Sequence, residues 1–261
     1  MLAMVWALAA AVMVLGWGWQ RRHANASIVD VLWAASVGAA AVLLGIFGQG
    51  AAGVRGLLAV LGGGWGLRLA LHLWRRVRAE PEDGRYRHLR THWNGHQGKF
   101  FLFFQAQALL VVLFALPFVA VSAAPRLLAW WAAVAVVVWL VSVGGEAIAD
   151  RQLARHRADP AMRGKTCRSG LWRYSRHPNY FFEWTHWFAY VALAVGSPLA
   201  GWAWLGPVVM LAFLRWVSGI PYTEAQALRT RGEDYRQYQQ TTSMLFPWFP
   251  RHASSTPRNA R

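Results

Sequence analysis

The residues best suited to chemistry fall in one stretch, Gly170-Leu171-Trp172-Arg173-Tyr174-Ser175-Arg176-His177-Pro178-Asn179-Tyr180-Phe181-Phe182-Glu183. Pro178 suits the first position of a helix, where its missing N–H costs nothing. A helix that begins there turns its free amides toward the basic residues before it, and such an end favours anions. Arg173, Arg176 and His177 place charged donors beside it that can pair with phosphate oxygens, and Tyr174 is a further contact candidate. Asn179 and Glu183, four positions apart, share a helix face and can hydrogen-bond a polar ring or a ribose. A helix start with a basic flank would explain the Arg and Pro residues. It would not explain an Asn and a Glu one turn apart. Upstream, Glu146 and Asp150 repeat the four-residue spacing. Two carboxylates on one buried face repel unless cations or hydroxyl donors meet them, and the eight basic residues of 151–176, Arg157 among them, are candidates.

The elements that must position these groups follow from composition. The chain has 261 residues, 56% of them hydrophobic, with 17 Trp, yet a formal net charge of +16. The charges are gathered into blocks between long apolar runs, which is a membrane pattern. About seven runs approach the roughly 20 residues needed to cross a bilayer: 1–19, 28–47, 55–74, 100–121, 127–149, 179–198 and 202–220. The first has no basic leader and no small-residue cleavage site, so it reads as a retained helix. The single cysteine, Cys167, excludes an internal disulfide and a cysteine-built metal site. Lys and Arg crowd the first, third and fifth gaps and the C-terminal tail, while the second and fourth gaps hold only Arg55 and Arg126. Basic residues mark cytoplasmic loops, so the N-terminus is expected outside and the C-terminus in the cytoplasm. The fold class predicted is an all-α polytopic membrane bundle of about seven transmembrane helices, one membrane-embedded domain over 1–250 with a basic, disordered tail over 251–261.

Topology alone selects basic loops, so function must rest on polar groups inside the spans, where they are costly. These are Asp30, Arg68, His72, Glu146, Asp150, Glu183, His186 and Arg215. The predicted orientation puts all of them in the cytoplasmic leaflet, as a polar cavity open to the cytoplasm would require. Simpler readings stand beside this one: Asp30 follows Ser27 by three positions, like a capping box, and Arg68 can snorkel. His88, His92 and His96 have helical spacing but sit in an Arg-rich stretch with Trp93, which reads as an interfacial segment and not a metal site.

The string Gly-Leu-Trp-Arg-Tyr-Ser-Arg-His-Pro-Asn-Tyr-x-x-Glu resembles the signature of the steroid 5-alpha-reductase family, in particular its bacterial branch. Ser27-Ile28-Val29-Asp30-Val31-Leu32-Trp33, Glu82-Asp83-Gly84-Arg85-Tyr86, Glu146 to Gln152, Ser218-Gly219-Ile220-Pro221, Tyr235 to Thr242 and Phe246-Pro247-Trp248 extend the likeness over nearly the whole chain. The resemblance implies a multi-pass protein of a bacterial inner membrane. It implies NADPH bound from the cytoplasm and hydride transfer to the C=C bond of an apolar enone, steroid-like or another lipid, that enters from the bilayer. Carried over by the motifs, Asn179 and Glu183 would contact the nicotinamide end, and Glu146 and Asp150 the nucleotide. Arg157, Arg173, Arg176 and Tyr238 would bind phosphate or ribose. Steroid-reducing members hold the substrate carbonyl with a Gln-Glu pair and a Tyr that have no secure counterpart here. Asp30 and His72 are the nearest catalytic candidates, beside Glu183. The one Gly-x-Gly-x-x-Gly string, Gly48-Gln49-Gly50-Ala51-Ala52-Gly53, lies between two apolar membrane runs and not between a strand and a helix, so no soluble dinucleotide-binding turn is visible and a Rossmann domain is excluded.

Part of the signature is shared with membrane methyltransferases of the isoprenylcysteine carboxyl and phospholipid type, in which Glu224 and Tyr235-x-x-Tyr238 would serve an S-adenosylmethionine site. Asn179, Glu183, Glu146 and Asp150 favour the reductase. A transporter would be expected to show two related halves with interrupted helices, and no internal repeat is visible. Membrane lipids are the expected surroundings, and no nucleic-acid partner is expected.

Overall fold

A computed structural model describes residues 1–251 of the chain; the predicted disordered tail lies almost wholly outside them. Helices follow in the order α1 (Leu2–His23), α2 (Ile28–Phe47), α3 (Ala52–Ala79), α4 (Gly84–His92), α5 (Gln97–Ser122), α6 (Ala129–Ala158), α7 (Pro178–His186), α8 (Phe188–Leu193), α9 (Ala200–Ala203), α10 (Leu205–Ala212), α11 (Ile220–Arg231) and α12 (Glu233–Thr241). No strand occurs among the described residues. Six helical stretches are long and apolar enough to cross a membrane: α1, α2, α3, α5, α6 and the stretch Ala200–Arg231. The protein is thus built as an all-helical, multi-pass membrane protein. The apolar run predicted over 179–198 forms two short helices, α7 and α8, interrupted at Trp187.

The chain divides into two compact units, one of Met1–Val137 with Phe188–Val209 and one of Val138–Trp187 with Met210 onward. In the first unit α2 and α3 form an antiparallel pair. Lipid supplies no hydrophobic drive between helices, so close approach rests on small residues. A Cβ on Gly66 would stand 2.5 Å from the Gly38 Cα, and one on Gly45 would stand 2.7 Å from the Arg55 carbonyl oxygen and 2.8 Å from the Ala59 Cβ. Phe100, Phe104, Phe118, Trp65 and Tyr190 fill the interior of this unit. The Trp17 indole N–H on α1 donates to the Gln97 carbonyl at 3.1 Å and ties α1 to the start of α5.

The second unit contains the C-terminal part of α6, a connection over 159–177, α7, α11, α12 and the segment that follows. Gly170 turns the connection with φ 60°, a conformation that favours glycine. A Cβ there would meet the Gln152 amide, whose Oε1 accepts from the Leu171 N–H at 2.9 Å. The Trp172 indole donates to the Ala149 carbonyl at 2.9 Å, which fixes the connection onto α6.

Candidate functional site

In the second unit Asp150 lies near the end of α6 and Asn179 on the first turn of α7, and the Asn179 Nδ2 donates to Asp150 Oδ1 at 3.3 Å. Glu146 and Glu183, one turn from Asp150 and Asn179 on the same two helices, are buried, at 6% and 9% exposure. His186 ends α7, buried, with Nδ1 3.2 Å from the Glu183 carbonyl. Pro178 opens α7 as predicted. The structure therefore joins two polar faces that the sequence presents separately.

Arg176 and His177 have another role in the geometry. The Arg176 Nε donates to Glu224 Oε1 at 2.7 Å, and its Nη1 to the carbonyls of Gln239 at 2.9 Å and Thr242 at 2.8 Å. His177 Nε2 stands 3.2 Å from the same Glu224 oxygen. The Tyr235 hydroxyl reaches it at 3.4 Å, and the Gln239 amide donates to the other oxygen at 2.8 Å. Burial pushes the His177 imidazole below its usual pKa, with the neighbouring Arg176 charge acting the same way, against the hydrogen bond and charge of Glu224. The Tyr238 hydroxyl donates to the carbonyls of Trp172 and, at 3.1 Å, Ser175. Burial, with the neighbouring Tyr235, holds the Tyr238 phenol protonated well above its ordinary range. Arg176, His177 and Tyr238, read from the sequence as phosphate or ribose contacts, thus brace the turn before α7. Arg157, Arg173 and Tyr174 lie on the surface.

Glu224 is the residue whose part in this turn the sequence reading overlooked, having considered it only for a methyltransferase. The signal was present. Glu224 is the only acidic residue between Arg215 and Arg231, a stretch otherwise carrying only basic charge.

Asp30 and His72 belong to the first unit. Asp30 accepts from Arg85 Nη2 at 2.9 Å and from the Tyr86 hydroxyl at 2.5 Å. The same clasp includes Asp83, whose N–H donates to Ser27 Oγ at 2.8 Å, and Glu82, which accepts from the Ala26 N–H at 2.7 Å and from Arg90. It locks the start of α4 onto the turn between α1 and α2. Ser27 accordingly bonds Asp83 across the clasp instead of capping its own helix. His72 lies exposed on α3.

Six helical stretches long and apolar enough to cross a membrane, one of them carrying the buried Glu146, define a class: a multi-pass, all-helical membrane protein. Residues 16–242 match the model of the family described as protein of unknown function DUF1295, and the chain belongs to that family. Comparison with curated proteins and with solved structures returns no match.

Proposed function

We infer that the protein is a membrane oxidoreductase that transfers hydride from NADPH to the C=C bond of an apolar enone, steroid-like or another lipid, as its resemblance to the steroid 5-alpha-reductases implies. The meeting of Asp150 and Asn179 carries this reading, because it brings together the α6 and α7 turns that carry these two half-buried groups and, one turn away on each helix, the buried Glu146 and Glu183. A ligand rich in hydroxyl and amide groups matches such a set of carboxylate and amide side chains by hydrogen bonding.

The residues present fit such a cofactor. Asn179 and Glu183 offer amide and carboxylate groups to a carboxamide-bearing ring, and Asp150 and Glu146 accept from ribose hydroxyls. The exposed cations of Arg157 and Arg173 suit phosphate. Arg176, His177 and Tyr238 hold the backbone that presents them. NADPH, when bound, supplies the hydride. Glu183 is the candidate group for the substrate carbonyl and its proton. The apolar spans keep water from the reacting atoms and give a lipid-like substrate its route.

In this reading the chain crosses a bacterial inner membrane seven times, with 178–193 as an interrupted crossing, the N-terminus outside and the C-terminus in the cytoplasm. The Lys and Arg alternation supports that orientation.

A second reading, an S-adenosylmethionine-dependent methyltransferase of lipid or prenylated substrates, draws on the seating of Glu224 against Arg176, His177 and Tyr235. One experiment separates the two. A ligand that binds only the folded state at about a hundredfold excess over its Kd adds roughly 2.7 kcal/mol of stability. The detergent-purified protein is expected to gain thermal stability with NADPH and not with S-adenosylmethionine, and Asn179→Ala or Glu183→Ala should remove the gain without unfolding the protein. Stabilisation by S-adenosylmethionine alone, or an NADPH effect unchanged in both variants, would refute the reductase reading.

A further inference from the structure

Among the described residues beyond α12, up to Arg251, there is no helix and no catalytic candidate, yet backbone bonds hold this segment in a fixed course. The Arg176 N–H donates to the Ser243 carbonyl at 2.8 Å, the Trp248 N–H to the Tyr174 carbonyl at 2.9 Å, and the Arg251 N–H to the Thr241 carbonyl at 2.8 Å. The Ser175 hydroxyl donates to the Leu245 carbonyl at 2.8 Å. Leu245 turns inward, 2% exposed, whereas Phe246, Trp248 and Phe249 stand out at 53%, 70% and 75%. Pro247 and Pro250 restrict the backbone and carry no N–H.

The projection continues an aromatic row. The Phe246 ring meets Trp184 of α7 edge-on at 5.4 Å, and Phe249 meets Tyr174 at 6.0 Å. Large apolar groups held outward by the backbone mark an interaction surface. Trp suits the level of the headgroups, and the neighbouring Phe rings add apolar area beside it. Charge identifies the occupant further. Exposed Arg251 follows Pro250. The sequence beyond adds Arg258 and Arg261 and no acidic residue.

We propose that Phe246, Trp248 and Phe249 form a wedge that seats in the interfacial zone of a bilayer with anionic headgroups, with Arg251 meeting the lipid phosphates. Because Tyr174 and Arg176 bond the same segment, the wedge fixes to the membrane the turn that opens α7.

The test places a polarity-sensitive fluorophore on Trp248→Cys in the full chain, reconstituted into vesicles of phosphatidylglycerol mixed with phosphatidylcholine. The native Cys167 is buried, and the parent protein taken through the same labelling gives the background. Emission is expected at shorter wavelength than in detergent, quenched by spin-labelled lipid with a shallow nitroxide more than by a deep one and shielded from aqueous iodide. The shift should weaken in phosphatidylcholine alone and in the Arg251→Gln variant. Ready quenching by iodide without lipid quenching would overturn the proposal. So would a shift that follows the protein-to-lipid ratio, which marks a second copy of the chain as the occupant, or one indifferent to headgroup charge.

Discussion

The Glu224 carboxylate accepts the Arg176 Nε–H at 2.7 Å, joining residues 48 positions apart. Their side chains are 15% and 10% exposed. The pair fastens α11 to the residue two positions before Pro178, and so sets where α7 begins. Removing one partner of a buried pair strands the other charge, at a cost of about 3 to 5 kcal/mol. Glu224→Ala should destabilise by about 3 kcal/mol or more in thermal unfolding of the detergent-solubilised protein. Arg176→Ala should cost a similar amount, and the double variant less than the sum of the two. Additive losses would mean the two residues act separately.

His177 faces the same carboxylate and gives the cluster a pH dependence. Its folded-state pKa is depressed, first by burial, so the folded protein holds the ring neutral more strongly than the unfolded chain does. The sign follows: stability from this group is complete above the unfolded imidazole pKa and is lost as pH falls below about 6.5. The thermal midpoint should therefore decline as pH falls below about 6.5, and His177→Asn should flatten that decline.

The sequence conveys the spans and the start of α7 better than their ends. The run at 28–47 coincides with α2, which Gly48 closes in an extended conformation. The runs at 55–74 and 127–149 become α3 and α6, which continue to Ala79 and Ala158. Basic residues tolerate helix and lift their charges toward water along their stems, so an apolar run can end a turn or more before its helix does. The interruption at Trp187 carries no Gly or Pro, the usual local marks. Asn179 and Asp150 were legible as candidates because each has a partner four residues away. The Glu224 cluster was not, since its members come from segments about 50 residues apart that only the fold brings together.

Glycines of one helix should respond in opposite directions. At Gly66 of α3 a Cβ meets the Gly38 backbone, which has no side chain to yield, whereas at Gly56 it meets nothing within 4 Å. Gly66→Val should destabilise by roughly 2 to 3 kcal/mol through overpacking. Gly56→Ala should be neutral or stabilising by about 0.5 kcal/mol through the entropy of the unfolded chain. Thermal midpoints of the two variants beside the parent protein decide it, and equal losses would mean α2 and α3 are not held by this close approach.

The clasp at Asp30 gives the sharpest contrast between two arginines. Arg85 bonds both Asp30 and Asp83 with its side chain 29% exposed, whereas Arg76 meets Glu80 and Asp83 at 43% exposure. Exposed pairs contribute about 0 to 1 kcal/mol, so Arg76→Ala should have little effect. Arg85→Ala leaves Asp83, and Asp30 with its bond from the Tyr86 hydroxyl, without their shared cation. It should loosen the segment from Glu80 to Tyr86, read as faster hydrogen exchange at the Asp83 and Ala26 amides, both of which are bonded across the clasp. Tyr86→Phe deletes one hydrogen bond to a charged oxygen and should cost about 1.5 to 3 kcal/mol. Burial raises the Asp83 pKa, but the charge and hydrogen bonds of Arg85, with Arg76, outweigh it, so the folded value is depressed. The stability Asp83 contributes is thus present above the ordinary aspartate pKa of about 3.9 and lost as pH falls below it. In Arg85→Ala that acid-side loss should shrink, because only Arg76 and the N–H of residue 85 then favour the charged carboxylate in the folded protein. An unchanged acid profile would place the origin of the depressed pKa elsewhere than in Arg85.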